Sequence, residues 1–272
     1  MKRDNASASR QHRMMLDTQI VSYAYLGRPE HRIAGGAISS VVAGEFLLSY
    51  RPNEPTRASY YVAPHDPRTS GHGAPAVRLH GEVSRPRSHR RFADGIRIDF
   101  GSDFPTRIEY NRVGLSSAIN LGDRLRLVTA LASARHPQRR QVLERFDFLV
   151  DHGVECLPLT NRSISLALDL LQAFMRRHTL KANFHNSFND LLILAAAVDA
   201  EAELRTVDSV LTRFVCSYYG LPPARLPEAI CIDFRQPVNR TPSSGSKGYV
   251  NRGWSVELLG NQGAERDFKR RL

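Results

Sequence analysis

Lysine is scarce in this chain of 272 residues: Lys2, Lys181, Lys247 and Lys269 are the only ones. The formal net charge is nonetheless +11 and the sequence pI is near 10.0, so arginine carries almost all of the positive charge. A guanidinium fork suits bidentate contact with phosphate, and a field of this sign attracts polyanions. RNA or DNA fits, and so does an acidic protein partner; a GC-rich coding sequence would give the same arginine bias. Cysteine is also sparse. Cys156, Cys216 and Cys231 are odd in number, lie in apolar stretches and lack metal-ligand spacing, which sets aside a disulfide framework and reads as buried free thiols in a reducing cytoplasm. His65, His72, His80 and His89 have no cysteine partners and no regular spacing, so zinc is set aside too. No apolar run reaches the length of a membrane span, and the polar, basic start from Met1 to Arg13 lacks the apolar stretch of a secretory signal. The expectation is a soluble, cytoplasmic protein without internal repeats. With 42% hydrophobic residues it can bury a full core, as one large domain or as a domain with an insertion.

Against these absences stand four acids in apolar company: Asp17 in MMLDTQI, Glu45 in ISSVVAGEFLL, Asp190 in SFNDLLILAAA and Asp208 in LRTVDSVLTRF. Carboxylates beside apolar strands and helices cost folding energy unless something compensates them, and a shared Mg²⁺ or Mn²⁺ would do so through hard oxygen ligands. Met14 to Leu16 and Glu203 to Val207 read as short strands ending at Asp17 and Asp208. Open α/β sheets place ligands outside the carboxyl ends of parallel strands, so these two acids should converge. Ala37 to Ser39 reads as a further strand. It leads into a helix from about Ser40 to Tyr50 that carries Glu45 about one and a half turns in. Ser187 is the expected N-cap of a helix from Phe188 to Ala202, which would put Asp190 in its first turn.

Taken singly, each acid has a blander reading. An Asp after a strand is commonly a turn former or N-cap, Asp190 could be a dipole-favoured acid at a helix start, and Glu45 could be a solvated helix residue. Glu45 resists that reading, because Val41, Val42, Phe46, Leu47 and Leu48 leave little polar face around it. Asp233, after the strand-like Ala229 to Ile232, is the understudy should one acid be misassigned. Asp199 should face the other side of its helix from Asp190, and Asp169 should lie on a solvent face.

The ordered set LDT, SSVVAGEF, NDLLILAAA and TVDSVLTRF resembles the PIN-domain family of metal-dependent nucleases, over about residues 14–50 and 154–214. The resemblance implies a three-layer α/β/α fold with a central parallel sheet. It also implies an acid quartet falling on Asp17, Glu45, Asp190 and Asp208 that holds one or two Mg²⁺ or Mn²⁺ ions, with Thr206 in support. The family often has Asn two places after its first acid, where this chain has Gln19. Ser40 is a further candidate for a supporting hydrogen bond, or simply the N-cap of its helix; Thr206 could equally be an ordinary strand residue. For substrate phosphates the candidates are Arg176, Arg177 and Lys181 before the Asp190 helix, Arg213 after Asp208, and Arg90 and Arg91 in SRPRSHRRF. A solvated charge run is the alternative for each.

Five segments follow: a basic tail at 1–13, a PIN-like domain at 14–50 and 120–236, an insertion at 51–119 and a basic, mobile tail at 237–272. In the insertion, Arg51 to about Pro75 reads as loop. Alternation at Val77, Leu79, Val83, then Ile96, Ile98, Phe100, then Ile108, Tyr110 reads as a small antiparallel meander. Leu121, Leu125, Val128 and Leu131, then Val142, Phe146 and Leu149, read as core stripes of two helices. The expected activity is Mg²⁺/Mn²⁺-dependent endoribonuclease cleavage of RNA, as a toxin or defence effector restrained by an antitoxin-like protein, with a homodimer allowed. The alternatives are a DNA or flap nuclease and a non-catalytic basic RNA-binding protein.

Overall fold

A computed structural model describes residues 13–47, 49–50, 59–61, 78–79, 95–104, 107–131, 136–181, 184–226, 229–235 and 252–259. In chain order the first elements are β1 (Met14–Leu16), α1 (Thr18–Tyr25), β2 (Ala37–Ser39), α2 (Ser40–Phe46), β3 (Ser49–Tyr50), β4 (Ser59–Tyr61) and β5 (Arg78–Leu79). Then come β6 (Gly95–Asp99), β7 (Arg107–Asn111), α3 (Val113–Asn120), α4 (Arg124–Ala130), α5 (His136–Asp151), β8 (Glu155–Leu157) and α6 (Asn161–Met175). The last are α7 (Phe184–Asp199), β9 (Glu203–Thr206), α8 (Ser209–Tyr219), β10 (Ala224–Arg225), β11 (Ile230–Asp233) and β12 (Ser255–Leu259).

The protein is mixed α/β. Its central sheet runs β10-β11-β9-β1-β2-β8, with β9, β1, β2 and β8 parallel and β11 and β10 added antiparallel at one edge. Met15, Leu16, Ile38, Cys156 and Leu204 on these strands are fully buried. Burial is nearly continuous along β1 and β2 and alternates along β9 and β8, and the mostly parallel sheet with its helices is compatible with a three-layer α/β/α fold. The approach to β2 depends on a glycine: a Cβ at Gly36 would lie 2.7 Å from Leu16 Cδ1 and 3.0 Å from the Ile33 carbonyl oxygen. Gly220, at φ 72°, ends α8 in the left-handed conformation.

Two further sheets have three strands each: β3-β4-β5 and β12-β6-β7. The antiparallel pair β6–β7 answers the expected meander. Its third strand does not come from the 77–83 segment, which contributes β5 to the other sheet, but from the C-terminal region, where β12 pairs Ser255 with Asp99 through Leu259 with Gly95. The stretch read as loop between Arg51 and Pro75 contains β4. Within the C-terminal tail, residues 252–259 carry β12; Trp254 is 4% exposed, and its indole Nε1 donates to Asp103 Oδ2 at 3.1 Å. A lone large aromatic with room under it anchors a segment that composition marks as polar. The upper boundary of the insertion also moves, because α3, within the 51–119 span, packs on α2, α5 and β8 of the main body.

Other local expectations fail for identifiable reasons. Leu121 and Leu125 are 75% and 76% exposed, because Gly122 at φ 60° breaks the anticipated helix into α3 and α4 and turns both leucines outward. Val142, Phe146 and Leu149 are buried on α5 as their spacing predicts. The α2 helix stops at Phe46, earlier than Tyr50, and its N-cap is Ser39, whose Oγ accepts from Val42 N–H at 3.3 Å. Asp169 is half-buried rather than solvated, and burial pushes its carboxyl up to about 6. Cys156 and Cys231 are buried free thiols, whereas Cys216 is partly exposed. Among the described residues no helix is long and apolar enough to cross a membrane.

Candidate acidic site

Asp17 and Asp208 occupy equivalent positions, each the N-cap of a helix that begins where a parallel strand ends. Register carries them to the same edge: Leu16 pairs with Arg205, and Asp17 N–H donates to the Arg205 carbonyl at 3.0 Å. They use the position differently. Asp208 Oδ1 accepts from the N–H groups of Val210 and Leu211 at 2.8 and 2.9 Å, as an N-cap should. The Asp17 side chain makes no capping bond. It is 5% exposed and accepts a 2.6 Å hydrogen bond from Thr206 Oγ1, which in turn accepts from Asp208 N–H at 3.0 Å.

Glu45 reaches this edge from α2. Thr18 Oγ1 donates to its Oε2 at 2.5 Å, and Asn189 Nδ2 donates to its Oε1 at 2.6 Å. The solvated-helix reading of Glu45 therefore fails. Asp190 arrives from α7, but not in the first turn: α7 starts at Phe184, and Ser187 is not its N-cap but lies inside it, its Oγ accepting from Lys181 N–H at 2.8 Å. A helix dipole acts mainly over the first turn, so Asp190 gains little from it. Its partner is Lys181, whose ammonium donates to Asp190 Oδ2 at 2.6 Å and to Asp208 Oδ2 at 3.0 Å.

The electrostatics follow from burial and proximity. Burial raises the Asp17 carboxyl, and the nearby Asp208 charge adds to this against the Thr206 hydroxyl. Glu45 is likewise raised, chiefly by burial and with the charge of Asp17, against its two hydrogen-bond donors. Asp190 is pushed up to about 7 by burial, with Asp17 and Asp208 acting in the same sense and Lys181 opposing. Asp208 is lowered: burial works against its ionisation, but the backbone N–H groups of Leu211 and Val210 and the Lys181 ammonium outweigh that cost. Burial also opposes the Lys181 charge, and the carboxylates of Asp190 and Asp208 overcome it. The three raised acids owe their shifts chiefly to burial, and their mutual charge adds to it.

A divalent cation fits the chemistry of this set, which offers hard oxygen donors and excess negative charge. The side chains as they stand are not a closed cage. Among the described residues no group of three His, Cys, Asp or Glu side chains is arranged to hold a metal, and the cation among the acids is the Lys181 ammonium.

The other candidate residues divide. Ser40 does not touch the acids; it is buried and its Oγ donates to the Asn111 carbonyl at 2.9 Å, tying α2 to the end of β7. Arg176 and Arg177, at the end of α6, and Arg213 on α8 are exposed. Lys181, expected to meet phosphate, is engaged by two acids instead. Arg90 and Arg91, like Arg85, Arg87, His65, His72, His80 and His89, lie outside the described residues. Asp233 is removed as understudy: it pairs with Glu203 at the opposite end of β9 and binds Arg235. Asp199 accepts from Thr160 Oγ1 at 2.5 Å and lies 3.3 Å from Arg162, away from the quartet. Gln19 is exposed, and Thr18 beside it makes the supporting contact. Sequence reasoning passed over Thr18, Asn189 and Tyr110. Thr18 and Asn189 are direct neighbours of Asp17 and Asp190, the one local signal available; Tyr110 had none. No known protein family, curated protein or solved structure matches this chain.

Proposed function

We propose that the chain is a PIN-like, Mg²⁺- or Mn²⁺-dependent nuclease acting on RNA. The observation that carries this reading is the convergence of Asp17, Glu45, Asp190 and Asp208, from four separate stretches of chain, into one electrostatically coupled group beyond the carboxyl ends of β1 and β9. These four residues would hold the ion. When bound, such an ion lowers the pKa of its water and shields phosphate charge during in-line attack. The protein's own part is orientation. Thr206 aims Asp17, and Thr18 with Asn189 fixes both oxygens of Glu45, which leaves Glu45 to bind the ion or to orient water. Lys181 bridges Asp190 and Asp208 and partly offsets their mutual repulsion. The exposed Arg176, Arg177 and Arg213 are the candidates for phosphate contacts.

A second reading has its own observation. Because Lys181 already compensates two of the acids and no closed metal cage is present among the described residues, the group could be a structural ion-pair network in a basic RNA-binding protein. Asp17→Asn and Asp190→Asn separate the two. For a nuclease, each abolishes Mg²⁺- or Mn²⁺-dependent cleavage of RNA while the protein stays folded, and Asp17→Asn raises the melting temperature by removing the cost of a buried carboxylate. Wild-type protein that cuts neither RNA nor DNA, and whose melting temperature ignores Mn²⁺, would leave only the binder. Parallel assays on single-stranded RNA and on flap DNA decide between the ribonuclease and its DNA-directed alternative.

A further inference from the structure

Glu45 is held by an amide that is itself held from another sheet. Asn189 is 4% exposed; its Nδ2 donates to Glu45 Oε1 at 2.6 Å, and its Oδ1 accepts from the Tyr110 hydroxyl at 2.7 Å. Tyr110, also 4% exposed, belongs to β7 of the inserted sheet, distant in sequence from both partners. An amide can turn over and exchange its oxygen and nitrogen ends. Turned over, Asn189 would present a carbonyl oxygen to the Glu45 carboxylate and lose one hydrogen bond while gaining a repulsion. The Tyr110 hydroxyl donating to Oδ1 and the Glu45 carboxylate accepting from Nδ2 together favour the orientation in which the NH₂ group faces Glu45.

The surroundings keep Tyr110 in register. Ser40, on the same helix as Glu45, donates to the carbonyl of Asn111, the residue after Tyr110. Just past the end of β6, Phe100 packs edge-on against Phe184 and Phe188 of α7 and against Trp254, with centroids 4.8, 5.0 and 5.3 Å away. The sheet β12-β6-β7 is thus fastened to both α2 and α7, the helices that carry Glu45 and Asp190.

We propose that Tyr110 is a positioning residue for the acidic site: through Asn189 it sets the orientation of Glu45, so that the inserted sheet is part of the machinery and not an appendage. This rests on the nuclease reading for its consequences in metal binding and cleavage, but the relay itself can be read without either. The experiment compares wild type, Tyr110→Phe, Asn189→Ala and the double variant, all as full chains. In metal-free protein, NMR follows the Asn189 side-chain amide; Mn²⁺ binding is measured by EPR titration, and RNA cleavage by kcat and KM. Tyr110→Phe keeps the ring, and its melting temperature reports any change in packing. The expected result is a displaced Asn189 amide signal, Mn²⁺ affinity weakened about three- to tenfold, the worth of one hydrogen bond, and a fall in kcat with KM little changed. The double variant should be no worse than Asn189→Ala alone, because both changes break one chain of hydrogen bonds. An unmoved amide signal in Tyr110→Phe, unchanged Mn²⁺ affinity in that variant, or effects that simply add would each overturn the proposal. Wild type that neither binds Mn²⁺ nor cuts RNA would overturn the nuclease reading instead, and the amide signal alone would then decide the relay.

Discussion

Asp17 and Asp208 show how little a residue's local position says about its task. Both are Asp, both follow a parallel strand and both begin a helix, yet only Asp208 caps. Asp17 is turned inward onto Thr206, and burial leaves it with a raised pKa and no cation in direct contact among the described residues. The same argument applies at Asp169, on a helix face expected to be solvated. Its carboxyl ordinarily titrates near 3.8 and is pushed up to about 6 in the folded protein by burial. A raised carboxyl means that the folded state holds the proton longer than the unfolded state does. The contribution of this one group is therefore complete below about pH 4 and is lost as pH rises through about 6. Asp169→Asn should remove that dependence. The side chain is half-exposed, so the gain at pH 7 is reduced by solvent to the order of 1 kcal/mol, or about 2–4 °C in Tm. Melting curves of the two proteins at pH 4 and pH 7 check this, with the difference confined to the higher pH; equal gains at both would contradict the assignment to ionisation.

Among elements, the short parallel strands were readable from pattern: MML before Asp17 and AIS before the α2 helix are compact runs closed by a polar residue, and ELRT alternates ahead of Asp208. The inserted sheet was readable only in half. Alternation identifies β6 and β7, since every second residue of β6 is buried and Ile108 and Tyr110 repeat the pattern on β7. It cannot identify β12, whose pairing with β6 joins segments separated by most of the chain, nor the aromatic cluster that Trp254 completes over Phe100. If that cluster is what fastens the sheet, Trp254→Ala should cost about 3–5 kcal/mol, typical of a large aromatic deleted from a core. Native-state hydrogen exchange should then accelerate in β6 and β7 well before β1 and β9. Uniform acceleration would mean that the sheet has no independent fastening.

Over the whole molecule, the formal charge of +11 sets a field whose sign favours polyanions. In the nuclease reading, the exposed Arg176, Arg177 and Arg213 should contribute to affinity rather than to chemistry. Replacing Arg176, Arg177 and Arg213 with Gln should weaken RNA binding and flatten its salt dependence, by roughly 0.7 in log–log slope for each single-strand phosphate no longer neutralised, while leaving Mn²⁺ affinity intact. An unchanged slope would remove these residues from the interface. Composition and period alone determined the arginine-borne charge, the α/β class, the core strands and the four acids, because charge, hydrophobic pattern and strand ends are properties of neighbouring residues. Tertiary structure alone decided that Lys181 lies between Asp190 and Asp208, that Asn189 and Tyr110 hold Glu45, and that the C-terminal segment completes the inserted sheet. Each of these joins remote stretches of chain, and its energy comes from burial that exists only once the chain has closed on itself.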